Sequence, residues 1–453
     1  MNHHPYAKAY FHLKGLLVTV GLVGLTGAGC ALVRPSIATR HQVKHFTSQW
    51  LHDSVFRGAQ VGISVYDYAR QRTVLQHQSD HYFNPASNTK LFTLFAGLHL
   101  LSDSSTGILY QTRGDTLFIQ GTADPSLFHP EFAHQPVVNF LRTDRSRIMV
   151  WLHPVNRNEI WGPGWAWNDY AEDYQPERSS FPLYGNVIWC TVYDHHVQML
   201  PDYFMKAGLV RWDSSGDHLA ISRLPEENLF TVHPAADTVH VQIPYRVMQG
   251  AVTAALLADT LHKPVLVDLD RRLLPGDPQV KQLKNVPLDS LFRHMMFRSD
   301  NFYAEQTLMM SSYRLFDTID TRKVIAYVLD SLLPALPQRP QWVDGSGLSR
   351  LNLFTPDDIV YVLMRLLADF SEKRIFSILP TGGAGTLTRY PDLWGVLYAK
   401  TGSLSNQAAL SGYLLTRSGH TLIFSMLVGN YVSSPALLRN KMGDWLRWLA
   451  SHY

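Results

Sequence analysis

Cysteine is scarce in this sequence: the 453 residues contain two, Cys30 and Cys190. If Cys30 is lipidated or removed by processing, Cys190 has no partner, and the mature chain then has no internal disulfide. Cys190 lies in the apolar run 185–192, which predicts a buried strand, and no basic residue adjoins it to activate the thiol. We therefore expect Cys190 to be a structural thiol and not a nucleophile.

An excess of charge of one sign is also missing. Lys and Arg number 40 and Asp and Glu number 37, which gives a formal net charge of +3. Such a balance leaves no electrostatic field that would hold a polyanion, so no nucleic-acid partner is expected. The composition is 46% hydrophobic and 17% charged, which is typical of a globular chain long enough to bury a large core.

Motifs for zinc, nucleotide and flavin binding are missing as well. The adjacent histidine pairs, His3-His4 and His195-His196, lack the helical spacing of metal ligands. No internal repeat, low-complexity tract or long charge run interrupts the chain. We therefore expect a protein that works with neither a metal nor a cofactor.

The first 33 residues have the pattern of an export segment. Lys8 and Lys14 precede the uncharged stretch 15–33, and small residues lead to Cys30. Cys30 is a lipidation candidate of the bacterial lipoprotein type, although Gly27 stands where leucine is usual. A plain cleaved signal, or an uncleaved segment just long enough to anchor the chain in a membrane, fits the same pattern. In each case we expect an exported protein of the periplasm or cell envelope.

The two ends of the chain predict one antiparallel sheet. Alternating apolar runs separated by turn residues indicate two strands near the N-terminus and three near the C-terminus, with amphipathic helices at 39–51 and 437–449. The predicted strands are 61–67, 73–75, 394–399, 408–415 and 422–428. The fold class is therefore α/β (α+β), with a central antiparallel five-stranded sheet flanked by helices.

The middle of the chain differs in composition from its two ends. Residues 105–265 contain short strand-like runs, Gly/Pro turns and many aromatic residues. This composition predicts a β-rich insertion in a discontinuous main domain formed by residues 36–104 and 266–453. The predicted order is thus a leader at 1–33, the first part of the main domain, the insertion, and the rest of the main domain.

Ser87 and Lys90 form the first of three motifs that suggest catalysis. Serine is a poor nucleophile until a base takes its proton, and residues three apart on a helix share one face. An apolar helix is predicted after Ser87, and a lysine desolvated there has a lowered pKa and can act as the general base. Free N–H groups in the first turn of this helix could stabilise an oxyanion.

The second motif, Ser299-Asp300-Asn301, lies between predicted helices at 288–296 and 303–310. From that turn, Ser299 could relay protons between Lys90 and a leaving amine, and Asn301 could bond a substrate amide. Asp300 suits a structural role as a helix cap and is left out of the catalytic set.

The third motif, Lys400-Thr401-Gly402-Ser403, follows an apolar strand. Lys400 and Thr401 suit recognition of a substrate carboxylate, Gly402 allows close backbone approach, and the N–H of Ser403 could complete an oxyanion hole. Each motif alone also fits a structural role, as a helix cap or a strand end. Their occurrence together, in this order, favours a catalytic site.

These motifs resemble those of the penicillin-binding proteins, specifically the low-molecular-mass D-alanyl-D-alanine carboxypeptidase/endopeptidase family with a large insertion after S-x-x-K. The resemblance covers most of the chain from about residue 40. It rests also on P-A-S-N-T-K-L at 85–91, G-T-A-D-P-S-L at 121–127, G-P-G-W at 162–165, D-G-S-G-L-S-R at 344–350 and P-T-G-G-A-G-T-L at 380–387.

The resemblance implies a β-lactamase/transpeptidase-like domain that acts on peptidoglycan. Ser87 would be acylated by stem peptides ending in D-Ala-D-Ala, releasing D-alanine or, from a cross-link, a peptide amine. Water would then hydrolyse the acyl-enzyme. β-Lactam antibiotics would acylate the same serine and leave slowly.

Two alternatives stay open from the sequence, besides a transpeptidase that would pass the same acyl group to an amine. A β-lactamase of the same superfamily would need a deacylating glutamate in a Glu-x-x-x-Asn loop between the second and third motifs. Glu305 and Glu372 are the glutamates in that interval, and neither has an asparagine four residues later. A non-catalytic peptidoglycan-binding envelope protein would be expected to lose Ser87 or Lys90, and both are present. Covalent labelling by a β-lactam distinguishes these alternatives.

Overall fold

The computed structural model describes residues 37–193, 196–213, 220–233 and 239–453, and residues 37–453 belong to one compact unit. The predicted leader, with the lipidation candidate Cys30, lies outside the described residues. Within the described ranges, no helix combines the length and apolar character needed to cross a bilayer.

Strands and helices alternate along the chain. The strands are β1 (Gln60–Asp67), β2 (Arg72–His77), β3 (Ser104–Arg113), β4 (Thr116–Gly121), β5 (Ile148–Leu152), β6 (Val187–Tyr193), β7 (His196–Leu200), β8 (Val210–Trp212), β9 (Ala220–Arg223), β10 (Phe230–His233), β11 (Val239–Pro244), β12 (Val265–Asp268), β13 (Lys281–Pro287), β14 (Leu397–Leu404), β15 (Gln407–Leu415) and β16 (Thr421–Gly429). The helices are α1 (Arg40–Leu51), α2 (Lys90–Leu100), α3 (Pro136–Thr143), α4 (Tyr203–Lys206), α5 (Ala251–Leu261), α6 (Leu288–Phe297), α7 (Asn301–Phe316), α8 (Thr321–Tyr327), α9 (Pro356–Asp369), α10 (Glu372–Ile378) and α11 (Pro435–His452). Short 3₁₀ turns occupy Ser54–Phe56, Ala86–Thr89, Trp167–Asp169, Tyr184–Asn186, Met248–Gly250, Gly385–Leu387 and Pro391–Leu393, and a π-helical turn at Val328–Leu332 continues α8.

The predicted antiparallel sheet from both chain ends is confirmed. Its strand order is β14-β15-β16-β1-β2, and β1 joins the two halves by pairing with β16 from Gln60↔Gly429 to Asp67↔Leu422. Side chains of a strand alternate between the two faces of a sheet. Thus Ile423 of β16 packs into the core formed with α2, α7 and α9, whereas Phe424 packs into the core formed with α1 and α11.

Strand β14 differs from its predicted bounds. It begins at Leu397, because Gly395 has a left-handed backbone (φ +70°), and it continues through Lys400 to Leu404. Pairing with β15 is unbroken over this stretch, from Leu397↔Leu414 to Leu404↔Gln407. The third motif is therefore part of the sheet edge and not a turn after the strand.

The helices around the second motif agree with the prediction, but α7 is longer than 303–310. Asp300 caps α7 by accepting a hydrogen bond from the N–H of Tyr303, as expected for its structural role. Polar residues in the middle of α7 remain helical because their hydroxyls bond carbonyls of the preceding turn, as Thr307 and Ser311 do.

The middle of the chain is rich in strands. A second five-stranded sheet has the order β12-β5-β4-β3-β13, and two three-stranded sheets have the orders β8-β10-β9 and β11-β6-β7. Strand β13 pairs with β3, so this second sheet also takes in residues up to Pro287. The predicted domain boundaries stay a prediction. Cys190 lies in β6 and is buried, and burial raises the pKa of its thiol to about 11, which fits a structural thiol.

Candidate active site

Ser87 lies in a short 3₁₀ turn at the entrance to α2. The Oδ1 atom of Asn84 accepts a hydrogen bond from the N–H of Ala86, and the Thr89 hydroxyl donates to the Ala86 carbonyl. Ala86 itself has a left-handed backbone (φ +45°). These contacts fix a tight bend that leaves Ser87 half-buried and lining an open cleft of about 560 Å³.

Lys90 is placed as a base for Ser87. Its side chain is fully buried, and Nζ lies 2.8 Å from Oγ of Ser87. Nζ also lies 2.6 Å from Oδ1 of Asn301 and 2.6 Å from the carbonyl oxygen of Ser346. A neutral amine has two N–H donors and one lone pair, so these two acceptors leave the lone pair for the Ser87 proton.

The environment lowers the basicity of Lys90. Burial lowers the pKa of its amine to about 8, while the charges of Asp344, Asp300 and Glu305 act in the opposite direction. An amine with that pKa is partly neutral near physiological pH, which is the protonation state that a general base requires.

The second motif lies beside this pair. Asn301 is the first residue of α7; its Oδ1 accepts from Lys90, and its Nδ2 donates to the carbonyl of Tyr174 at 3.0 Å. Ser299 has a left-handed backbone (φ +62°) and lines the cleft together with Ser87. The structure therefore brings Ser299 and Asn301 to the site. Their predicted roles as proton relay and substrate ligand stay predictions.

The third motif forms one wall of the cleft. Thr401 and Ser403 line it, and Gly402 lies so close to the nucleophile segment that a Cβ there would be 2.7 Å from the Pro85 carbonyl oxygen. Lys400 is fully buried behind this wall, and its Nζ donates to the Thr401 carbonyl at 2.7 Å. Burial, and then the charge of Lys90, hold the pKa of Lys400 well below its ordinary value.

Two arginines at the cleft lie outside the three sequence motifs and could not be predicted from them. Arg389 and Arg439 both line it, and the guanidinium of Arg439 donates to the hydroxyl of Ser403. Neither arginine forms an ion pair with any residue in the described ranges. The cleft therefore has unneutralised positive charge at its surface, next to the third motif.

The wall behind Lys90 is the turn at 344–349. The Asp344 carboxylate accepts from the N–H groups of Gly347 and Ser349 and from the indole N–H of Trp165. Gly347 has φ +83°, and a Cβ there would lie 1.9 Å from the Ala86 carbonyl oxygen. The turn can approach the nucleophile segment this closely because that position is glycine.

Glu305 is also behind Lys90 and does not line the cleft. It is fully buried; Oε1 accepts from the N–H of Ser346 at 2.8 Å, and Oε2 lies 3.2 Å from Nη1 of Arg178. Sequence reasoning assigned no role to Arg178 or to the Ser346 carbonyl. Among the described residues no three His, Cys, Asp or Glu side chains are grouped to hold a metal ion, and the expected absence of a cofactor stays a prediction.

Comparison with known sequences identifies a family. The profile of the D-Ala-D-Ala carboxypeptidase 3 (S13) family matches residues 44–452. A D-alanyl-D-alanine carboxypeptidase of Actinomadura sp. (strain R39) is 25% identical over 490 residues, covering 93% of this chain and 87% of the relative. The carboxypeptidase DacB of Mycolicibacterium smegmatis is 31% identical over 192 residues, which are 39% of this chain and 41% of the relative.

Comparison with solved structures confirms the predicted fold. Penicillin binding protein 4 (dacB) from Haemophilus influenzae has a TM-score of 0.68 at 18% identity and covers 90% of this chain and 98% of its own. The same protein complexed with a novel β-lactam has a TM-score of 0.64 at 17% identity, with the same coverage. The β-lactamase/transpeptidase-like fold with its five-stranded antiparallel sheet is thus shared over nearly the whole described chain.

Proposed function

The chain belongs to the D-Ala-D-Ala carboxypeptidase 3 (S13) family, and on that premise we propose how its site carries out the reaction. It is a serine-type D-Ala-D-Ala carboxypeptidase, as the sequence motifs predict. The observation that carries the mechanism is the contact of 2.8 Å between Lys90 Nζ and Ser87 Oγ, with the two N–H donors of a neutral Lys90 already engaged.

Acylation begins when neutral Lys90 takes the Ser87 proton. Oγ attacks the carbonyl carbon between the two D-alanines, and the C–N bond breaks as the leaving nitrogen gains a proton. We propose that Ser299, which lines the cleft together with Ser87, passes that proton from Lys90 to the nitrogen. The product is D-alanine, or a peptide amine when the substrate is a peptidoglycan cross-link, and water then hydrolyses the ester on Ser87.

We further propose that stem peptides of peptidoglycan are the substrates and that β-lactams acylate Ser87 in the same way. A β-lactam presents a strained amide to the serine, and its ring-opened product stays attached until water reaches the ester. Glu305 is held by Arg178 and by the N–H of Ser346, away from the cleft, so it supplies no deacylating base of the β-lactamase kind. This arrangement favours a slowly hydrolysed adduct.

The peptidase reaction is tested with an acetylated tripeptide ending in D-Ala-D-Ala. The full chain is expected to release one D-alanine per peptide, and Ser87→Ala is expected to release none above the uncatalysed rate. An equal rate for Ser87→Ala would remove Ser87 from the mechanism. No release by the unaltered chain, from this peptide or from cross-linked muropeptides, would favour the non-catalytic alternative.

We expect Arg439 to bind the carboxylate next to the scissile bond. Lys400 is buried and does not line the cleft, whereas Arg439 does and has no acidic partner among the described residues. Hydrogen bonds to charged groups contribute about 1.5–3 kcal/mol, so Arg439→Gln should lower kcat/KM by roughly ten- to a hundredfold. The loss should be confined to peptides with a free C-terminal carboxylate and be missing for the C-terminal amide.

Arg447→Gln is the matched control for this prediction. Arg447 lies on the same helix, α11, but is ion-paired with Asp392 and Asp444. It should leave the preference for the carboxylate unchanged. An equal loss for the acid and the amide in Arg439→Gln would assign Arg439 to the fold of the cleft and not to recognition.

We also propose that the protein is exported and works in the periplasm or cell envelope, with Cys30 as the lipid attachment site. The basic start, apolar stretch and small residues before Cys30 support this proposal. Cells expressing the full chain and fed labelled palmitate should yield a labelled protein, and Cys30→Ser should yield an unlabelled one. An exported but unlabelled full chain would replace lipidation with a cleaved signal or an uncleaved anchor.

A further inference from the structure

One buried ion pair connects the middle of the chain to the surroundings of the catalytic base, Lys90. Arg178 is 4% exposed, and its Nη1 lies 3.2 Å from Oε2 of Glu305, which is fully buried. The remaining guanidinium nitrogens donate to the carbonyls of Glu159, at 2.8 Å for Nη2, and of Trp161, at 3.0 Å. Each guanidinium nitrogen of Arg178 therefore donates at least one hydrogen bond, and Arg178 is the ion-pair partner of Glu305 among the described residues.

Glu305 in turn fixes the residue that holds Lys90. Its Oε1 accepts from the N–H of Ser346, and the carbonyl oxygen of Ser346 accepts from Lys90 Nζ at 2.6 Å. The carboxylate thus anchors one side of Ser346 while its other side receives an N–H of the base. If Ser346 rotated, Lys90 would lose one of the two acceptors that leave its lone pair directed at Ser87.

A second contact joins the same two regions. The guanidinium of Arg178 lies over the indole ring of Trp165, 5.4 Å from its centre, and the indole N–H donates to Asp344 at 2.9 Å. Asp344 organises the turn that contains Ser346 by accepting from the N–H of Gly347. Arg178 therefore supports this turn from two directions, through Glu305 and through Trp165.

We propose that Arg178 is a positioning residue for the acylation reaction, which holds Ser346 through Glu305 so that the lone pair of Lys90 faces Ser87. This inference rests on the proposed function and assigns a part of the base's support to the strand-rich middle of the chain. Arg178 touches neither Ser87 nor the cleft. Arg178 acts on Lys90 indirectly, first through Glu305 and then through Ser346.

Removing Arg178 and removing the Glu305 charge are expected to shift the pH midpoint of acylation in opposite directions. The charged groups that act on Lys90 are Asp344, Asp300 and Glu305, and Lys400 interacts with it from the third motif. Removing Arg178 leaves the Glu305 charge unbalanced, which favours protonated Lys90. Removing the Glu305 charge leaves a buried arginine unbalanced, which favours neutral Lys90.

The test measures the rate constant of acylation by benzylpenicillin against pH in the full chain and three variants. Arg178→Met should lower the rate at pH 7 by roughly ten- to a hundredfold, because small displacements of a catalytic group have effects of that size, and should shift the midpoint to higher pH. Glu305→Gln, which keeps an acceptor for the Ser346 N–H, should shift the midpoint to lower pH. The double variant should regain most of the rate and the original midpoint.

Arg246→Met is the matched control. Arg246 forms an ion pair with Glu177, which is 2% exposed, and this pair makes no contact with the turn at 344–349. Removing Arg246 also takes the ion-pair partner from a buried carboxylate, yet it should change neither the rate nor the midpoint. Arg178→Lys, which keeps the charge but not the paired hydrogen bonds, should retain the midpoint and lose rate, and it replaces Arg178→Met if that variant fails to fold.

The outcomes separate the two proposals. If the unaltered chain is not acylated at all, the proposed function fails and the role of Arg178 fails with it. If the unaltered chain is acylated, but Arg178→Met and Glu305→Gln behave as Arg246→Met does, the inference about Arg178 alone is overturned. For Arg178→Met and Glu305→Gln, a loss of rate without rescue in the double variant, or a lack of opposite shifts of the midpoint, also overturns it. Where Arg178→Lys is used in place of Arg178→Met, an undiminished rate overturns it.

Discussion

Replacing Lys90 with methionine is expected to slow acylation of Ser87 by about 10²- to 10⁴-fold, the range that a positioned general base contributes. The amine lies 2.8 Å from the serine oxygen, and no second base is hydrogen-bonded to that oxygen in the described residues. Methionine has a similar length and suits the fully buried site, so the variant should fold. The measurement is the rate of benzylpenicillin attachment, followed by intact mass.

Lys90→Met should also be less stable than the unaltered chain. A loss of stability must therefore be distinguished from a loss of acylation. Losing the ammonium leaves Oδ1 of Asn301 and the Ser346 carbonyl without Lys90, and each buried unpaired group costs about 1–3 kcal/mol. Thermal unfolding of Lys90→Met should therefore show a lower midpoint, measured beside the rate. Lys441→Met removes a half-exposed lysine paired with Asp53 and should leave acylation unchanged. Acylation of folded Lys90→Met at the rate of the unaltered chain would contradict the role of Lys90.

The second large effect is a steep pH dependence of acylation. The pKa of Lys90 is about 8, and only the neutral amine can take the Ser87 proton. Below this value the neutral fraction falls tenfold for each pH unit, so the rate at pH 6 should be about a hundredfold below the alkaline plateau. Because Lys90 must be neutral to act as the base, the acylation rate falls as pH falls and reaches its plateau as pH rises through about 8.

The profile is measured with benzylpenicillin on the full chain between pH 5.5 and pH 9.5, with unfolding monitored at each pH. A rate that is flat over this range, or that falls as pH rises through 8, would exclude neutral Lys90 as the base. In Lys90→Met the residual rate should have lost the rise through pH 8. A rise that persists in that variant would assign the titration to another group.

The main sheet and the catalytic pair could be predicted from local sequence. Apolar runs bounded by turn residues predict the strands, and β1 and β16 are buried at nearly every position, which leaves few alternatives for the pairing. The spacing of Ser87 and Lys90 placed them together although the segment begins as a 3₁₀ turn and not as an α-helix, because residues i and i+3 also align in a 3₁₀ turn. The bounds of β14 differ from the prediction because the polar third motif continues the strand and pairs with β15.

The contacts that hold Lys90 in place could not be predicted, because the residues that make them are far apart in sequence. Lys90 and Ser346 are separated by 256 residues, and the acceptor is a backbone carbonyl that any residue type would supply. Arg178 and Glu305 are separated by 127 residues, and a buried charge gives no periodic pattern. The D-G-S-G segment contributes to the family resemblance, yet its spacing does not indicate which carbonyl points at Lys90. Burial of Lys400 likewise depends on how Asn88 and β15 pack around it.

Acylation of Ser87 is tested most simply by the intact mass of the full chain after brief exposure to benzylpenicillin, beside Ser87→Ala. The unaltered chain should gain the mass of one benzylpenicillin molecule, the adduct should decay slowly, and Ser87→Ala should gain nothing. Peptide mapping should place the added mass on the segment that contains Ser87. An adduct that persists in Ser87→Ala, rapid turnover of the drug without an adduct, or no reaction at all would contradict these expectations.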